Sequence, residues 1–260
     1  MNCGYKGDWL KRVLSYARSS ENLKDCEPFE QLNQKYILLQ KQYADSFSEL
    51  RDSIEPQAVR REYSKGGLTL HRGFYSPSAL DLVSSGCNRG RLLKRTPKTS
   101  SFDYEYLFDG NGNLICAKTY GRTKNSDFGV IAVEFLIYDS EKVLSIKYEY
   151  FSDFKLSFIS ECRYENKRLV RYANALCNMF YDGDGCVEIN VETSDYDDGK
   201  LKSVCWYCYM PATHILQQKK YTFFRDQDGF LSTYTAEQLG GFCSGEATPP
   251  RSFRVMVRRK

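Results

Sequence analysis

Apolar and polar residues alternate through the middle of the chain. Ile131, Val133, Phe135 and Ile137 are separated by Ala132, Glu134 and Leu136, and Leu144, Ile146, Tyr148 and Tyr150 by Ser145, Lys147 and Glu149. Val187, Ile189 and Val191 repeat the pattern against Glu188 and Asn190. A period of two with one oily side predicts antiparallel strands, packed on one face and wetter on the other. Between such runs stands a recurring unit: an aromatic residue, an acidic or amide turn, often a glycine, then an apolar residue that restarts a strand. Tyr106–Leu114 and Phe223–Leu231 are the clearest copies, and Phe180–Val187 and Tyr196–Leu201 follow the same plan. Tyr138–Leu144 and Tyr164–Leu169 are copies without the glycine. Asp and Asn fold back on their own backbone and Gly takes the positive φ that a short hairpin loop needs, so each copy predicts a β-hairpin. The restart residues Leu114, Leu144, Leu169, Leu201 and Leu231 are unevenly spaced, which favours a long meander over a strict solenoid or propeller.

The first part of the chain has a different period. Phe29, Leu32, Tyr36, Leu39, Tyr43, Phe47, Leu50 and Ile54 form a helical stripe, begun near Glu27-Pro28 and closed by Glu55-Pro56. The expectation is that this stripe lies on the sheet's oily face, with a dimer seam as the alternative. A short helix is expected over Asp8–Ala17 and another over Ser76–Val83, closed by Gly86. Arg89, Arg91, Lys94, Arg95 and Lys98 then make a basic connector, and Phe253, Val255 and Val257 suggest a last strand before the basic tail Arg258-Arg259-Lys260. The fold class expected is therefore α+β. A helical region with its basic connector (1–98) packs on an antiparallel meander (99–260) of about ten strands, the two sharing one core.

Composition narrows the function classes. Aromatic residues make up 15%, with 20 Tyr, and large aromatic area suits partner contact as well as strand positions. A net charge of +4 is too small to argue nucleic-acid binding by itself. No apolar run approaches the roughly 20 residues that span a bilayer, and the start lacks a signal-peptide core, so a cytoplasmic, membrane-free protein is expected. In that setting the ten cysteines are expected to be reduced core residues.

Candidate chemistry thins out on inspection. Cys205-Trp206-Tyr207-Cys208 is a lone CxxC without a second ligand pair, and His71 and His214 are the only histidines. Asp226-Gln227-Asp228-Gly229 resembles the start of a calcium loop, but Phe230 and Leu231 occupy positions where that loop needs an oxygen donor and glycine. His71-Arg72-Gly73 with Thr99-Ser100-Ser101-Phe102 resembles two strands of ADP-ribosyl transferases, while Glu188 and Glu192 are spaced wrongly for that family's Glu-x-Glu. No nucleophile elbow or phosphate loop is present. No enzymatic activity, cofactor or metal is expected.

The hairpin unit, as in Tyr106-Leu107-Phe108-Asp109-Gly110-Asn111-Gly112-Asn113-Leu114, resembles the YD repeat of Rhs-type proteins, itself a strand–turn–strand unit. The whole layout, helices followed by a Tyr-rich meander without a catalytic motif, resembles the bacterial immunity proteins that bind and neutralise polymorphic toxins. That resemblance implies a non-enzymatic binding protein, monomeric or homodimeric, that occludes the active site of a cognate protein toxin. The expected contact surface is Glu188 to Tyr209, with Glu188, Glu192, Asp195, Asp197 and Asp198 supplying charge and Tyr196, Trp206, Tyr207 and Tyr209 supplying area. The alternative is a nucleic-acid-binding module that uses the basic connector and the C-terminal tail.

Overall fold

The computed structural model describes residues 15–66, 77–80, 90–97, 102–122, 127–177, 185–241 and 251–254. The expected helix over Asp8–Ala17 lies almost wholly outside these residues. So do His71, most of Ser76–Gly86, Arg89, Lys98, the turn of the Phe180 copy, and the tail with Val255 and Val257.

Helix α1 (Ser20–Tyr43) starts at Ser19, whose side-chain oxygen accepts the Asn22 N–H, and carries Pro28 in its interior. Its last turn gives way at Ala44–Ser46 to α2 (Phe47–Ile54), and a 3-10 turn (Glu55–Gln57) with Pro56 near its start follows. The stripe read from the sequence is thus carried by two helices, with the break between Tyr43 and Phe47. All eight of its residues pack into one core with the sheet.

The described strands form a single thirteen-stranded sheet. From β3 (Tyr104–Phe108) it is an uninterrupted antiparallel meander through β4 (Leu114–Arg122), β5 (Phe128–Asp139), β6 (Lys142–Tyr150), β7 (Phe154–Glu165) and β8 (Arg168–Cys177). It continues through β9 (Cys186–Asp197), β10 (Lys200–Met210), β11 (Ile215–Arg225) and β12 (Leu231–Gly241) to β13 (Arg251–Arg254). The short strands β1 (Arg60–Lys65) and β2 (Arg91–Leu92) extend the opposite edge, with β1 lying between β3 and β2. The α+β class with helices on an antiparallel meander is what the alternation predicts; the crossover that puts β1 against β3 is not encoded in any local pattern.

The repeat unit becomes intelligible in this topology. The turns after β3, β5, β7, β9 and β11 all fall at one end of the sheet, because every second connection of a meander does. Asp198 (φ 45°) and Gly199 (φ 75°) make one two-residue turn, and Asn166 (φ 50°) and Lys167 (φ 63°) make another without any glycine. In the longer turns, Asp109 Oδ1 accepts the N–H groups of Asn111 (2.9 Å) and Asn113 (2.8 Å), and Asp226 Oδ1 accepts those of Asp228 and Phe230 (3.0 Å each). These bonds fold the turns back on themselves, the Asx geometry that the Asp and Asn of the unit predict. The aromatic of the unit has its own task. The Tyr138 hydroxyl donates to Leu114 O at 2.9 Å and that of Tyr196 to Leu169 O at 3.0 Å, each tying the end of one strand to the start of its neighbour. Where the β11 copy has Phe224, which cannot donate, the guanidinium of Arg225 reaches Leu201 O instead.

Val133, Phe135, Ile146, Tyr148, Ile159, Ala175, Ile189 and Tyr209 line the face under the helices. Tyr36 is the centre of α1's contribution, 0% exposed, and its hydroxyl has no hydrogen-bond partner. Burial drives the pKa of that hydroxyl far upward. An unpaired buried hydroxyl costs more than its absence, so Tyr36→Phe is expected to raise stability by about 1 kcal/mol in urea unfolding. A loss of similar size would show that the hydroxyl is satisfied.

Candidate functional site

The second face of the sheet is not simply the wetter surface that the alternation suggests. It has two apolar clusters. Tyr104, Tyr106, Phe108, Leu114, Ala117 and Leu136 form one over β3–β5. Val204, Phe223 and Tyr234 form the other over β10–β12, where Leu80 from the β1–β2 connection is inserted. Between them the register lines up a polar row across the strands: Ser145 opposite Ser160, Ser160 opposite Asn174, and Asn174 opposite Asn190.

This arrangement redistributes the nine residues singled out in the sequence. Glu192 is only 6% exposed. Its carboxylate accepts the Ser78 hydroxyl and, at 3.1 Å, the Ala79 N–H, so it holds the chain's own 77–80 segment instead of facing solvent. Trp206 is its cross-strand neighbour and packs at the edge of the Leu80 cluster, with the Lys219 ammonium 5.4 Å from its ring. Tyr207 and Tyr209 are on the opposite face, since they are one and three positions from Trp206. Tyr209 is 0% exposed, and the Phe29 ring of α1 lies 5.4 Å from Tyr207 and 5.9 Å from Tyr209. Tyr209 therefore offers no contact area to a partner, and Tyr207, half-buried against Phe29, offers only part of its ring. Glu188 sits near the start of β9 and accepts an Asn190 N–H at 2.6 Å, whereas Asp195, Tyr196, Asp197 and Asp198 are at the other end of that strand, beside the β9–β10 turn. Of the nine, only this last group shares an accessible edge. The parity of positions 206, 207 and 209 could have separated them in advance; the pairing of Glu192 with Ser78, more than a hundred residues away, could not.

The basic connector is likewise divided. Arg91 belongs to the edge strand β2, and Lys94 and Arg95 follow it in a bend.

Among the described residues, one concavity on the second face opens at the turn-bearing end, which carries the turns after β3, β5, β7, β9 and β11. A cleft of ≈ 580 Å³ lies beneath the β3–β4, β5–β6 and β7–β8 turns. Its walls are apolar and aromatic, from Phe108, Leu136, Tyr138, Val143 and Tyr164; Ser145 and Ser160 line it as well; Glu141, Lys142 and Lys167 stand at the turns. Cys162 also lines it, but burial pushes its thiol up to about 12, so it is neutral and unreactive near pH 7. Burial likewise pushes the Tyr138 hydroxyl up to about 12. Behind Ser145 lies Glu134, 8% exposed, whose carboxylate accepts the Ser145 hydroxyl. Desolvation raises Glu134 to about 7, against the opposing effects of that hydrogen bond and of Lys147. The cleft can therefore accept apolar side chains between its walls.

A second polar group ties α1 to the β10–β11 turn. The Asn22 amide donates to Ala17 O (3.2 Å) and His214 O (2.6 Å), and Glu30 pairs with His214 Nδ1 at 2.7 Å while also accepting the Tyr209 hydroxyl. His214 has φ 51°, and these bonds hold that strained turn in place. Among the described residues, no helix is long and apolar enough to cross a membrane.

No protein-family model and no curated protein matches the chain. Among solved structures, a protein of unknown function from Bacteroides fragilis NCTC 9343 is similar over 56% of this chain and 91% of its own, at 12% identity and a TM-score of 0.25.

Proposed function

We propose that this chain is a non-enzymatic binding protein that docks a partner protein on the turn-bearing end of its sheet, and that the partner is a protein toxin whose active site it occludes. The observation that carries the reading is the cleft, a concavity of ≈ 580 Å³ with apolar and aromatic walls, framed by three hairpin turns with polar and charged residues. A cleft of this size takes a small group of partner side chains, an aromatic or aliphatic anchor among them, the kind of buried contact that dominates protein interfaces. Asp197 and Asp198, both exposed at the β9–β10 turn, lie on the same end and would meet a basic patch on the partner, steering association. The toxin as partner rests on the layout of helices and Tyr-rich hairpins, and the site on the cleft.

The test is affinity capture from the native host with the purified tagged chain at moderate salt, followed by assay of the captured protein. One stoichiometric protein whose toxic activity falls as the chain is added is the expected result. Capture of nucleic acid alone, or a captured protein that the chain leaves fully active, would contradict it.

A catalytic reading has one observation behind it, the cleft-lining Ser145 hydroxyl bonded to the buried Glu134 carboxyl, which burial raises to about 7. It requires a turnover that Ser145→Ala abolishes while the fold is kept.

A further inference from the structure

Cys177 is the last residue of β8 and Cys186 the first of β9, and the two are register partners across the hairpin. Directly opposed residues of an antiparallel pair have Cα atoms about 4.5–5.5 Å apart. A disulfide needs roughly 4.4–6.8 Å, a range that contains this spacing, and the pair stands at the end of the ladder just past a register shift between Leu176 and Cys177. The other cysteines on described strands face different residues. Cys116 is opposite Phe135, Cys162 opposite Val143 and Tyr172, Cys205 opposite Thr193 and Lys220, and Cys208 opposite Asn190 and Gln217. Both members of the pair are free thiols here, buried in the core beneath the helices.

We propose that Cys177 and Cys186 form a thiol–disulfide pair, a cross-strand clasp that closes the β8–β9 hairpin when the chain meets a disulfide oxidant. The chemistry balances with oxidised glutathione. One cysteine thiolate attacks it and releases a glutathione thiolate; the second cysteine thiolate then displaces the other glutathione from the mixed disulfide. Two protein thiols and one oxidised glutathione become one protein disulfide and two reduced glutathiones. The folded state makes this slow, because burial pushes Cys177 up to about 12 and Cys186 up to about 11, and leaves few thiolates near neutrality. Oxidation during folding avoids that barrier, since the hairpin is a local contact and can pair before α1 covers it. Cys177 and Cys186 stand at the ends of β8 and β9 away from the cleft, so the clasp is independent of partner binding.

The full chain is unfolded in denaturant with reductant, refolded in a buffer of reduced and oxidised glutathione, and then unfolded again with an alkylating reagent. Non-reducing peptide mapping is expected to find one dominant cross-link, between the peptides of Cys177 and Cys186, that dithiothreitol removes. The native protein incubated with oxidised glutathione should form the same link more slowly. The oxidised form should show an unfolded fraction lower by about 10- to 100-fold at a given urea concentration, the effect of a short closed loop. Recovery of both cysteines as alkylated thiols from the refolded chain, or cross-links scattered over other cysteines, would overturn the proposal. Cys186→Ser, at the strand's start, is the companion variant. In it no link to Cys177 should form, and a persistent Cys177 link to another cysteine would also count against the pairing.

Discussion

Raising the pH from about 4 to about 8 is expected to remove on the order of 3 kcal/mol of stability through Glu134 alone. Its carboxyl titrates at the ordinary 4.5 when unfolded and at about 7 when folded, because burial penalises the charged form more than the Ser145 hydrogen bond and Lys147 favour it. Between those two values the folded chain holds a proton that the unfolded chain has lost. Stability from this group is thus fully present below about pH 4.5, falls as pH rises, and is lost above about pH 7. Other groups titrate in the same range, so the informative quantity is the difference between the wild type and Glu134→Gln. The amide keeps an acceptor for Ser145 and cannot ionise. Urea unfolding should find the wild type progressively weaker relative to Glu134→Gln as pH rises from about 4.5 to 7. A difference that stays flat across this window would mean that Glu134 is solvated.

Phe47→Ala is expected to cost about 3 kcal/mol, at the low end for removal of a buried phenylalanine because the ring is only half-buried. Phe47 opens α2 and stacks on Phe154 at 4.1 Å, with the rings of Tyr148 at 5.3 Å and Phe135 at 6.0 Å. It joins three strands to the helical layer at the point where the helix breaks. The loss should appear in the unfolding of a single chain, with a urea midpoint that does not move with protein concentration. A midpoint that falls on dilution, together with a change in association state for Phe47→Ala, would place the stripe at a dimer seam instead.

What the sequence carries and what it leaves open divide along the range of the interactions. The helical stripe is set by side chains three and four apart, and each hairpin by a turn and its flanking aromatics, so both can be read locally. Even the turn that lacks glycine, at Asn166-Lys167, sits where Tyr164 and Leu169 mark it. The tyrosines were harder. Tyr138 and Tyr196 look like surface aromatics, but their hydroxyls reach backbone carbonyls 24 and 27 residues earlier and serve the sheet. Glu192 looked like part of an acidic edge and is instead occupied by Ser78 and Ala79, a contact that only the folded topology brings about. The cleft escaped notice for the same reason. Phe108, Leu136 with Val143, and Tyr164 come from three separate hairpins, and no spacing along the chain links the three.

Docking on the turn-bearing end is tested most directly by placing one arginine at each end of the sheet and measuring affinity for the captured partner. Val143→Arg puts a charge in the cleft wall, and Ser152→Arg puts one in the exposed β6–β7 turn at the far end. With both variants shown to be folded, Val143→Arg should weaken binding by about 100-fold, close to 3 kcal/mol, and Ser152→Arg by no more than about threefold. Undiminished affinity for Val143→Arg, or a loss confined to Ser152→Arg, would contradict docking at the cleft.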